Sequence, residues 1–232
     1  VSCKLSRTFS YSCAYDVNNK GGKCYKGFKT IDEMEEYILQ STNSHYYEQI
    51  TNPIRKLYMD IDYGRESTDT KYKYMTQEEF KIFITDLITS INKELNILNS
   101  VVIVQVAYKK IDDIVYIASC HIIYKSHMMT ANQQGAFIQY INAKYKYKLD
   151  TQVYKTAQLF RLVNMCKYGK SNILEFYQVN YTFNDCIISN VKDCIMITHK
   201  FLLNKQITKE KGIKSKISKI SNTPIAAPKV DL

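Results

Sequence analysis

The sequence predicts a mixed α/β (α+β) fold, and three observations carry that expectation. Three times a Thr stands three residues before a Glu or Gln at the head of an apolar run: Thr30–Glu33, Thr76–Glu79 and Thr130–Gln133. In this pattern the Thr hydroxyl and the Glu or Gln side chain satisfy free N–H groups at a helix start. β-rich runs at 57–62, 101–108 and 114–124 lie between these points. Helices and strands therefore interleave along 232 residues, enough for one large core or two small lobes that share one.

Taken in order, residues 1–29 predict short strands or irregular structure with a Gly21-Gly22 turn. A helix follows from Thr30 to about Gln40, striped by Met34, Tyr37 and Ile38. Residues 41–53 are polar, end at Pro53 and read as a loop before a strand at 57–62. A charged, Tyr-rich linker spans 63–74. Phe80, Phe83, Ile84, Leu87, Ile88, Ile91 and Leu95 then recur at helical spacing, so 77–95 is a helix whose stripe is core. Residues 101–108 and 114–124 pair as a hairpin around Asp112-Asp113, and 130–145 is a third helix. Residues 148–170 alternate turn-like and strand-like character, and 172–203 hold two or three short elements. From Lys200 to Lys219 seven Lys accompany one acid, Glu210, as a solvated helix or a template-binding arm; Ser221–Leu232 reads as a linker or tail.

Composition narrows the function classes. No apolar run reaches the roughly 18–20 residues of a membrane span, and the N-terminal stretch lacks the apolar centre of a signal peptide. Seven scattered Cys form no CxxC pair. They predict reduced, mostly buried thiols in a cytoplasmic compartment. The net charge of +10 points to an anionic partner, nucleic acid first. A Lys-, Ile-, Tyr- and Asn-rich composition also follows from AT-rich coding, which weakens the case for Lys but not for Arg. Only four Arg occur, and two of them, Arg55 and Arg161, stand beside the motifs described next.

Leu57-Tyr-Met-Asp-Ile-Asp62 is an apolar strand interrupted by two acids. Side chains two apart share a face, so Asp60 and Asp62 leave the sheet together with Cα atoms roughly 7 Å apart. Such a pair holds divalent cations and is repulsive without them. The plain alternative is a strand that ends with both acids solvated. Ser119 and His121 share one face of the strand 114–124, where each can donate to an anionic oxygen. A Ser-His nucleophile pair is disfavoured, because no Gly-x-Ser-x-Gly elbow or orienting acid accompanies it. Asp150 sits at a turn, Arg161 alternates with Phe160 and Leu162, and Lys167, Gly169 and Lys170 form a basic turn.

Asp-x-Asp, then Ser-x-His, then Asp150-Thr-Gln-Val-Tyr154 leading to Arg161 and Lys167 resembles the archaeo-eukaryotic primase superfamily. The likeness is strongest to its primase-polymerase branch and to the poxvirus-type primase–helicases. It covers roughly residues 50–170, and its specificity comes from all three motifs standing in order.

The resemblance implies an α/β module plus a modified RNA-recognition-motif-like unit with a shared catalytic cleft, as a catalytic domain over 1–203 followed by a basic tail at 204–232. It implies a DNA-directed nucleotidyltransferase, a primase or primase-polymerase, acting with Mg²⁺ or Mn²⁺ on a single-stranded DNA template and NTP or dNTP. Asp60, Asp62 and Asp150 would be the catalytic, metal-binding acids. Ser119, His121, Arg161 and Lys167 would bind the nucleotide, and Arg55 and Lys170 are weaker candidates for template contact. Ile117 stands where some relatives carry a phosphate-contacting Lys, and Gln158 where some carry a second basic residue. The Val start and Pro/Ala-containing tail, read with the resemblance, predict the N-terminal part of a longer primase–helicase, used in viral replication in a host cytoplasm. The residues themselves leave open a non-catalytic single-stranded nucleic-acid-binding or replication-initiation module, and a metal-dependent nuclease.

Overall fold

A computed structural model describes residues 9–18, 21–62 and 74–198. The described elements belong to one compact unit that ends at Ile197. The linker predicted at 63–74 lies almost wholly outside the described residues, as do the basic stretch and tail at 200–232 and the boundary at 203.

The chain is mixed α+β, built on two largely antiparallel sheets. Four strands form the smaller sheet: β1 (Tyr11–Asp16), β2 (Lys23–Phe28), β3 (Tyr46–Ile50) and β8 (Gln158–Arg161), in the order β2-β1-β3-β8. Helix α1 (Ile31–Leu39) packs Met34 and Ile38 against Cys13, Phe28 and Tyr46 of this sheet. Six strands form the larger sheet: β4 (Ile54–Asp62), β5 (Met75–Thr76), β6 (Val102–Ile111), β7 (Ile114–Thr130), β9 (Leu174–Phe176) and β10 (Ile195–Met196). Its spine is β7, which pairs with β4, β5, β6 and β10. Helices α2 (Gln77–Leu95) and α3 (Ala131–Tyr145) pack against this sheet, and Tyr124 of β7 donates its hydroxyl to Asn92 of α2. A short helix α4 (Phe183–Cys186) completes the described set.

All three expected capping boxes are present, at Thr30, Thr76 and Thr130, and each helix begins where its box puts it. The β6–β7 hairpin turns at Asp112 and Asp113, both with positive φ as a two-residue turn of this hand requires. Two expectations change. β7 continues past Tyr124 to Thr130, and the stretch read as a loop at 41–53 contains β3. The signal for β3 was masked by Glu48. This buried acid occupies an inward strand position because it accepts the N–H groups of Ile188 and Ser189 and the Ser189 hydroxyl. No helix among the described residues is long and apolar enough to cross a membrane.

Glu94 ties α2 to α3. Its carboxylate accepts from Tyr140 Oη at 2.6 Å, Tyr145 Oη at 2.6 Å and Lys144 Nζ at 2.7 Å. Burial pushes its pKa up, but these donors outweigh burial and hold it at about 2. A depressed carboxylate stabilises the fold above its ordinary range and loses that contribution as pH falls through the folded value. Glu94→Gln is therefore expected to cost about 1 kcal/mol in urea unfolding at pH 7, after solvent screening. The gap to the parent should close as pH falls from about 4 towards 2. A gap independent of pH would show that packing, not charge, makes the tie.

Candidate active site between the two sheets

The acidic strand β4 is secured by the buried side chains of Leu57, Tyr58, Met59 and Ile61. Its register on β7 sets Asp60 directly opposite His121 and Asp62 directly opposite Ser119. The four side chains thus share one face of the larger sheet, as the alternation of strands requires. β8, the edge strand of the smaller sheet, meets that face. The Phe160 ring stacks on His121 with centroids 4.0 Å apart, and Arg161 Nη2 donates to Ser119 Oγ at 2.6 Å. Alternation along β8 predicts that Phe160 and Arg161 part company; instead both reach the larger sheet, Phe160 at His121 and Arg161 at Ser119.

Charge at this site is only partly compensated. Arg161 is 4 % exposed, and its Nε and Nη1 have no hydrogen-bond partner. Asp60 Oδ1 is likewise buried without a partner. Burial, reinforced by Asp62 and Asp150, pushes the Asp60 carboxyl up to about 7 against the opposing pull of Lys167 and Arg161. His121 is pushed well below its usual value by burial and by Arg161 and Lys167, so its ring is neutral at pH 7. The 3.6 Å approach of His121 Nε2 to Asp60 Oδ1 is therefore neither an ion pair nor a hydrogen bond. Lys167 Nζ lies 3.3 Å and 3.4 Å from the two oxygens of Asp62, on a half-exposed side chain.

Asp150 is brought beside this pair by its backbone. Its N–H donates to Asp60 O at 2.9 Å, and its own Oδ1 accepts from Gln152 N at 2.7 Å. The following 3₁₀ turn, Gln152–Tyr154, is clamped to β4: Tyr154 Oη donates to Tyr58 O at 2.8 Å, and Tyr58 Oη donates to Val153 O. Arg55 completes the clamp, and here a sequence expectation is corrected. Arg55 is 0 % exposed and donates to Asn52 O, Tyr58 Oη and Lys155 O, so it is inside the fold and not on a template-facing surface. Lys170 is exposed on the turn that carries Lys167.

Among the described residues no group of three or more His, Cys, Asp or Glu is arranged to hold a metal ion. Asp60, Asp62 and Asp150 are adjacent but not gathered into one ready shell. The pair Asp60 and Asp62 nevertheless fits a hard divalent cation. One buried carboxylate oxygen lacks any partner, and the other carboxylate is met by an ammonium that exchanges easily at a half-exposed position.

The structure adds Gln105, which sequence reasoning passed over. It lies directly opposite His121 on β6, is 1 % exposed, and its side chain hydrogen-bonds the Cys186 thiol. The signal was available: it is the one polar residue within Val101–Ala107. Tyr47, directly opposite Arg161 on β3, carried no such signal, because β3 itself was hidden. No known protein-family model matches the chain, and no curated protein sequence matches it either.

Proposed function

We propose that this chain is a DNA-directed nucleotidyltransferase, a primase of archaeo-eukaryotic type, that joins nucleotides on a single-stranded DNA template. The carrying observation is the register that faces an acidic pair, Asp60 and Asp62, with Ser119 and His121, and closes on them with Arg161. Cation-binding and anion-binding groups thus share one wall. A triphosphate held by Arg161, Ser119, His121 and Lys167 would lie against the two acids. Bound there, Mg²⁺ or Mn²⁺ would neutralise the triphosphate and stabilise the leaving pyrophosphate.

The protein's own groups do the positioning. Arg161 offers two unused N–H edges to phosphate oxygens, and its bond to Ser119 Oγ fixes its plane. Lys167 would leave Asp62 for the incoming anion. Asp150, anchored to the Asp60 backbone, stands where it can orient the attacking 3′-hydroxyl or take its proton. The two sheets would correspond to the α/β module and the RNA-recognition-motif-like unit. NTP or dNTP, the DNA template, and a helicase domain in the same polypeptide are the partners of this reading, in a reducing cytoplasm.

The test is synthesis from unprimed single-stranded DNA with labelled nucleotides and Mg²⁺ or Mn²⁺. Labelled products dependent on template and metal are expected. Template binding without any product overturns the catalytic reading. It would favour a single-stranded-DNA-binding module. Strand scission without added nucleotide would indicate a nuclease instead.

His121→Ala separates ligand from scaffold. The ring is buried against Phe160, so the change should lower stability by about 2 kcal/mol through a cavity. Nucleotide affinity should fall about tenfold, with template affinity unchanged. Equal losses for both ligands would make the ring purely structural.

A further inference from the structure

We infer that Tyr168 is a stacking platform for a base of the single-stranded DNA, at the rim of the candidate site. This inference rests on the reading of the chain as a template-directed enzyme. The turn Lys167-Tyr-Gly-Lys170 is closed by Lys170 N donating to Lys167 O at 2.9 Å. It is anchored just before its start, where Cys166 N donates to Ser44 O at 2.9 Å and the Cys166 thiol meets Ser44 and His45. The Lys167 ammonium reaches Asp62, so the turn stands at the edge of the acidic pair.

On this held turn Tyr168 is 42 % exposed. Its ring rests on His45 with centroids 5.1 Å apart and a 57° tilt. His45 thereby limits the rotation of a large aromatic surface that remains open to solvent. Such a fixed, exposed ring next to cations is the arrangement that binds unpaired bases without reading their sequence. Lys170 is exposed and makes no ion pair among the described residues, which leaves its charge for a phosphate. Gly169 has φ +68° and open space around the position of a missing Cβ, so a polymer backbone can pass close beside it. Base-stacking and phosphate-pairing groups two residues apart suit a polynucleotide better than a free anion.

The experiment measures binding of fluorescent oligo(dT) and, separately, of heparin, a polyanion without bases, to the whole chain. Tyr168→Ala is expected to weaken oligo(dT) binding about tenfold and leave heparin unchanged, whereas Tyr168→Phe keeps the parent affinity. Lys170→Ala should weaken both and reduce the salt dependence for oligo(dT) by about 0.7 in log–log slope. Unchanged oligo(dT) binding in Tyr168→Ala, or an equal loss for heparin, overturns the stacking role. Loss in Tyr168→Phe as well would assign Tyr168 to hydrogen bonding and overturn it too. A parent chain that binds heparin but not oligo(dT) would instead overturn the template-directed reading on which the inference stands.

Discussion

Replacing Asp60 and Asp62 together by Asn is expected to abolish nucleotide incorporation, a loss of at least about 10³-fold, while the protein remains folded and still binds single-stranded DNA. The stability change should run opposite to the activity change. Asp60 is a buried carboxyl with an unpartnered oxygen, and burial together with Asp62 and Asp150 holds its pKa up at about 7. A raised acid contributes stability below its ordinary range and loses it as pH rises through the folded value. The parent should therefore weaken between pH 4 and about 7. The Asn variant, with no charge to bury, should show a flatter profile and gain on the order of 1–3 kcal/mol at pH 7.5. Millimolar Mg²⁺ or Mn²⁺ should raise the melting temperature of the parent and not of the variant. Retained incorporation would remove the two acids from catalysis. Equal stabilisation of parent and variant by the cation would remove them from metal binding. A site that is costly to the fold when empty and indispensable when loaded is the expected signature of function held at the expense of stability.

Arg161→Met should produce the second large effect. The guanidinium is buried, donates once to Ser119, and leaves two N–H edges unused. Two charge-assisted hydrogen bonds to a triphosphate, each about 1.5 kcal/mol, predict a loss of roughly 100-fold in nucleotide affinity, read by titration with a non-hydrolysable triphosphate. Arg161→Lys keeps the charge but not the planar fork and should recover only part of the loss. Met fills much of the vacated volume, so the fold should survive. Unchanged nucleotide affinity in a folded Arg161→Met protein would make Arg161 a structural bridge between β8 and β7.

Local rules made much of the fold legible. The three capping boxes and the periodic stripe of α2 each need only a few neighbouring residues, and each appears where those residues put it. The common face of Asp60 and Asp62, and that of Ser119 and His121, likewise follows from a period of two. Strand β3 was not legible, because its inward Glu48 is tolerated only through partners 140 and 141 residues away. Arg55 failed as a surface reading for a similar reason. An Arg beside an acidic strand looks like a phosphate contact until the 3₁₀ turn near Lys155, 100 residues on, supplies the carbonyl it donates to.

By itself the sequence determined that acids, a Ser-x-His pair and a later Arg and Lys exist, on which elements they sit, and which of them share a strand face. Only the tertiary structure decided that Asp60 faces His121 and Asp62 faces Ser119, that β8 brings Arg161 onto them, and that Lys167 reaches Asp62. It also decided the direction in which burial and neighbouring charges push the Asp60 carboxyl, upward, and the His121 ring, downward. The division has one physical reason. Backbone periodicity and capping depend on residues within a turn or two, whereas strand register, desolvation and Coulomb interaction depend on neighbours that only folding brings together.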